Sequence, residues 1–138
     1  MTELSIEVRD AARSDAPAID VDHLARMTLG DRAVAREVLE LFDRQSAVML
    51  ARFPNEPPDV VATLAHTLVG SARGIGAWHV ATAAEALEQA ARDATALSPS
   101  LSRVSAAVGD ARHAIAGLLN ERTTSCGADA GARPIQRI

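Results

Sequence analysis

At 138 residues the chain has the length of one domain, and 48% hydrophobic residues supply a real core, although only 2% are aromatic and none is tyrosine. An interior that is aliphatic and alanine-rich favours closely packed helices over a sheet, which draws on β-branched and aromatic side chains. A net charge of -4 lacks the basic face of a nucleic-acid binder, the lone Cys126 rules out a disulfide framework, and no apolar run approaches the ~20 residues of a membrane span. The N-terminus is mixed and acidic, unlike a signal peptide, so the chain reads as a soluble cytoplasmic protein.

Residues 1–19 are polar with scattered alanines and read as a flexible arm. Asp20 is a good N-cap for a short helix carrying Val21, Leu24 and Met27, which Gly30 stops. Asp31 caps the next helix, expected from Arg32 to about Phe53. There Val34, Val38, Leu41, Gln45 and Val48 form one stripe, and Leu39, Phe42, Met49 and Phe53 a second beside it. Such a face is wider than one neighbour needs. Either the short first helix covers the excess, or the excess is a docking surface.

Pro54-Asn55-Glu56-Pro57-Pro58 is a turn, since proline forbids helix continuation. A third helix follows to Arg73, broken by Gly74 and Gly76. The fourth, Ala77 to Ala94, buries Val80, Ala83, Ala84, Leu87, Ala90 and Ala91. Ser98 as cap with Pro99 at the first position starts the last helix, whose Leu101, Val104, Val108, Ala111, Ile115 and Leu118 have the spacing of a bundle seam. Past Arg122 the period is lost, and residues 123–138 read as a disordered tail. Four long amphipathic helices with short connections, plus the short N-terminal one, predict an all-α, antiparallel up-down four-helix bundle over residues 20–122.

The third helix carries the feature that stands out. At about 100° per residue from Val61, the residues Leu64, Ala65, Leu68, Ala72 and Ile75 all fall within roughly 60° of it. His66 lies near 140°, Gly70 near 180° and Arg73 near 120°, on a polar stripe. A mid-helix glycine costs about 1 kcal/mol against alanine, and open space beside the imidazole is the simplest offset. An ordinary imidazole, with a pKa of about 6.5, is mostly neutral in the cytosol and keeps a nucleophilic nitrogen.

Other chemistries find little support. His23, His66, His79 and His113 are too far apart in sequence for a zinc pattern, so no metal of its own is expected. No strand precedes the glycines at 70, 74 and 76 and no Gly-Lys-Ser/Thr follows, so they make no phosphate loop. His23, His79 and His113 read as surface or boundary histidines.

Residues 65–77, Ala-His-Thr-Leu-Val-Gly-Ser-Ala-Arg-Gly-Ile-Gly-Ala, resemble the signature of the histidine-containing phosphotransfer (HPt) domain of multistep two-component signalling. The short Asp20–Leu29 helix, the Gly30-Asp31 junction, Leu41-Phe42 and Ala84 to Glu88 extend the resemblance over roughly residues 17–120. It implies that His66 is the phosphoacceptor, that Gly70 clears room for a receiver domain, and that Thr63, Phe42, Val69 and Arg73 belong to the docking surface or phosphate environment. The implied role is that of a monomeric carrier without catalytic activity, moving a phosphoryl group between receiver aspartates or from a histidine kinase. It needs no cofactor, Mg²⁺ coming with the receiver. Val69 departs from the family, which usually has lysine there, and Arg73 is the expected stand-in. The alternative is a non-phosphorylated helical module that only sequesters receivers.

Overall fold

A computed structural model describes residues 17–131, with side chains described as far as residue 120. Its elements are α1 (Val21–Met27), α2 (Arg32–Arg52), a 3-10 turn (Phe53–Asn55), α3 (Pro58–Ile75), α4 (Trp78–Arg92) and α5 (Ser98–Gly131). No strand occurs among the described residues. Helices α2 to α5 form the expected bundle: α3 packs between α2 and α4, and α5 closes the ring against both α2 and α4. The short α1 lies against α2 and α3.

The seams follow the sequence periods. Val104, Val108, Ala111 and Ile115 of α5 are all buried, as are Val80, Ala84 and Leu87 of α4. Alanine on the inner face of α4 lets its backbone approach α3 closely, since a methyl group is the smallest knob a helix can present. The last helix starts at Ser98 itself, one residue earlier than expected: the Leu101 N–H donates to the Leu97 carbonyl at 2.8 Å, so Leu97 holds the cap position.

On α2 the two stripes part company. Leu39, Phe42 and Met49, with Phe53 of the following turn, enter the core together with Ala35 and Ser46. Val34, Leu41 and Val48 stay substantially exposed. With only seven residues, α1 is too short to cover that second stripe. A groove of about 320 Å³ is left between α1, α2 and the end of α3, lined by Met27, Val34, Val38, Leu41, Ser71 and Gly74 among others.

The corner between α3 and α4 is fixed by Gly76, not Gly74. Gly74 stays inside the helix, because a glycine weakens a helix without forbidding it. Gly76 ends it in the left-handed conformation, φ 80°. A Cβ there would stand 2.8 Å from the Asp20 Cβ and 2.9 Å from the Asp20 carbonyl oxygen, so only glycine lets the two segments touch.

That touch seats α1. The Asp20 N–H donates to the Gly76 carbonyl at 2.9 Å, the Trp78 indole N–H donates to the Asp20 carboxylate at 3.0 Å, and the His23 Nε2–H donates to the Arg73 carbonyl at 2.8 Å. Asp20 also caps α1 by accepting from the His23 N–H. The Trp78 hydrogen bond, then that cap, hold the Asp20 carboxyl below its ordinary range.

Both ends of the chain depart from expectation. The arm expected over 1–19 is anchored by its last residues, for Ile19 is in the core; residues 1–16 lie outside the described region. At the other end α5 continues past the expected stop at Arg122 to Gly131, and 132–138 lie outside the description. Loss of apolar period marks the end of a packed face, not of the backbone hydrogen bonds, and no proline between residues 123 and 131 forces a stop.

Candidate phosphoacceptor site

Helix α3 buries Val61, Ala65, Leu68, Ala72 and Ile75 and turns His66 outward, its side chain 72% exposed. One turn on, a Cβ built on Gly70 would meet no atom within 4 Å, so the space beside the ring is open. Thr63 and Thr67 lie on the same outer face, their hydroxyls donating to the carbonyls of Asp59 and Thr63, each at 3.2 Å. The imidazole thus stands on a face of small groups that a partner surface can approach.

The ring is held from α4. His66 Nδ1 lies 3.1 Å from Glu88 Oε2 and 3.3 Å from Oε1. A carboxylate can only accept, so the proton of the neutral ring sits on Nδ1 and the lone pair on Nε2. Glu88 is held in turn by Arg92, one helical turn on, whose Nη2 and Nε donate to Oε2 at 2.8 and 3.1 Å. The Arg92 hydrogen bond first, and the nearby His66, lower the Glu88 pKa against the desolvation of a side chain only 17% exposed. With a depressed folded pKa, Glu88 is an anion at neutral pH. Its hold on the ring is complete above the ordinary carboxylate range and is lost only as pH falls through the depressed value.

Glu88→Ala therefore frees the ring to rotate and to change tautomer, while Glu88→Gln keeps an acceptor without the charge. We expect phosphoryl uptake about tenfold slower in the alanine variant, the kinetic equivalent of one hydrogen bond to a charged group. The glutamine variant should fall between it and the parent. Equal uptake rates in all three, measured with the same phosphorylated receiver, would remove Glu88 from the site.

Two residues expected at the surface are not there. Val69 is 5% exposed and Phe42 3%, and both belong to the core. Phe42 lies on the α2 stripe that faces inward. Val69 sits at about 80° from Val61, close to the buried Ala62, between the core line of α3 and the side on which His66 and Arg73 meet α4. Val69 cannot touch a partner or a phosphoryl group where it stands, whereas Phe42, though buried, still lines the floor of the groove between α1, α2 and α3.

Arg73 is exposed as expected, but its guanidinium is paired with Glu85 of α4. Glu85, Glu88 and Arg92 were the residues the sequence reading missed. The Glu88–Arg92 spacing, i to i+4, was a visible sign of a paired helix face. Which neighbour that face touches is fixed only when α4 packs on α3.

Of the other histidines, His23 is bonded at the α3–α4 corner and its ring centroid lies 4.8 Å from that of Trp78. His79 and His113 are exposed. No group of three or more metal-ligating side chains gathers among the described residues, and no helix there is long and apolar enough to cross a membrane.

The family model described as Hpt domain matches residues 32–119, from the start of α2 into α5. Among solved structures, the histidine phosphotransferase ShpA from Caulobacter crescentus is similar, with 29% identity and a TM-score of 0.64 over 79% of this chain and 97% of that one. No curated protein matches the chain.

Proposed function

We propose, given that the chain belongs to the Hpt domain family, that it carries a phosphoryl group on Nε2 of His66 between receiver-domain aspartates, or from a histidine kinase to a receiver. The observation that carries this is the exposed imidazole whose Nδ1 proton is held by Glu88, which leaves Nε2 with its lone pair toward the partner.

The chemistry follows from that arrangement. Nε2 attacks the phosphorus of an aspartyl phosphate, the N–P bond forms, and the P–O bond to the receiver breaks, leaving its carboxylate. The ring keeps its Nδ1 proton and becomes positively charged, and the Glu88 anion 3.1 Å away stabilises that charge as it develops. Return of the group to a second receiver reverses each step. The Mg²⁺ comes with the receiver in this scheme, in keeping with Glu85 and Glu88 each being engaged by an arginine. The chain then acts as a monomeric carrier with no independent catalytic activity.

A receiver docked on this face also reaches the α1–α2 groove, because Ser71 and Gly74 of α3 line its edge. Met27, Val34 and Leu41 supply an apolar anchor there, continuous with the small-residue face around His66. The alternative of a sequestering module without phosphorylation would rest on Val69 standing where the family usually has lysine. Packing in the core accounts for that residue instead.

Incubation with a phosphorylated receiver tests the proposal. Label should pass to this chain, labile to acid and stable to base. A stable complex with the receiver and no label on the chain would establish the sequestering role in its place.

A further inference from the structure

Phosphorylation would place a dianionic group beside two arginines, Arg73 and Arg92, that are both already paired. Around His66 the charges are already matched, Arg92 with Glu88 and Arg73 with Glu85. The phosphoryl group adds roughly two negative charges at neutral pH, by analogy with other phosphorylated side chains. Three anionic groups then compete for two guanidinium groups.

The two pairs are not equally free to respond. Arg92 makes two hydrogen bonds to Glu88 within its own helix, and moving it would also release the His66 ring. Arg73 and Glu85 pair across helices, with side chains 56% and 48% exposed, so their exchange costs little solvation or packing. Arg73 is on the stripe of His66, two turns further along α3. A long helical side chain leans toward the N-terminal turns, which directs it toward the ring. Gly70, the residue between them on that stripe, offers no side chain in the way.

We propose that Arg73 is a switchable counter-ion: on phosphorylation of His66 it leaves Glu85 for the phosphoryl oxygens, and Glu85, by competing for it, limits how long the phosphoryl group stays. A guanidinium suits this exchange because its planar fork fits a carboxylate or a phosphoryl group equally. The chain is thereby tuned to pass the group on. The inference rests on His66 being the phosphoacceptor.

The test is the transfer equilibrium between one purified receiver and full-length variants. Glu85→Gln releases Arg73 and should raise the phospho-His66 fraction by about threefold to fivefold, the scale of an exposed ion pair. Arg73→Ala should lower it by a similar factor, and Arg73→Lys should retain part of the effect. The opposite signs matter. Both Glu85→Gln and Arg73→Ala break the interhelix pair, so a merely structural role would move the equilibrium the same way in both, and that result overturns the proposal. In an Arg73→Ala background Glu85→Gln should lose most of its effect, and all effects should shrink with added salt. Unchanged equilibria in every variant, with the parent chain labelled normally, would overturn the counter-ion role alone. A parent chain that takes no label would overturn the phosphoacceptor reading, and this inference with it.

Discussion

His66→Gln should abolish phosphoryl uptake and leave the fold unchanged. The substituted side chain is 72% exposed and its contact is with Glu88 at the surface, so the change in stability should stay below about 1 kcal/mol. Helicity and thermal midpoint are the controls. Loss of uptake, in contrast, is expected to be complete, because no other histidine has the same setting. His23 is bonded through Nε2 to the Arg73 carbonyl. Among the described residues, His66 is the histidine whose ring is paired with a carboxylate. Residual acid-labile label on His79 or His113 in the variant would show that the exposed imidazole, and not its Glu88 partner, is all the receiver requires.

The difference between what could and could not be read from the residues is one of range. Helix positions, the α5 seam and the outward phase of His66 depend on contacts at three- and four-residue spacing, and a sequence displays those directly. The same logic brought Asp20 and Asp31 out as caps, since each bonds backbone N–H groups within three residues. What stayed hidden involves pairs between helices: Glu88 with His66, Glu85 with Arg73, and the choice of which α2 stripe turns inward. A wide apolar face on α2 is compatible with either stripe being buried. The short span of α1 and the position of α5 decide it, and neither is encoded within α2. Charge was equally ambiguous. Arg73 on the His66 stripe suggested a phosphate ligand, yet in the unphosphorylated chain a glutamate from α4 takes it first.

Val69 shows how such a long-range effect alters a prediction. The resemblance to the family implies a lysine here, three residues after His66 and beside the phosphoryl group, and on an isolated helix Val69→Lys would only add a useful charge. In the bundle, position 69 is 5% exposed, between the core line of α3 and the side on which His66 and Arg73 meet α4. A lysine there needs more volume than valine in a close helix contact and must either bury its ammonium or push its stem out between the helices. We expect a loss of about 2–3 kcal/mol, and a thermal midpoint lower by about 10 °C or more for a domain of this size. Any gain in the phospho-His66 fraction should be smaller than that from Glu85→Gln, which supplies a cation without disturbing the core. Thermal melts and the transfer equilibrium, measured on the same preparations, distinguish the two descriptions of position 69. A melt within about 2 °C of the parent, with a clearly raised phospho-His66 fraction, would mean that the lysine stem reaches the surface past Ala62 and His66. Position 69 would then be a phosphate-binding position that valine leaves unused, and the α3–α4 contact would be looser than the burial of Val69 implies.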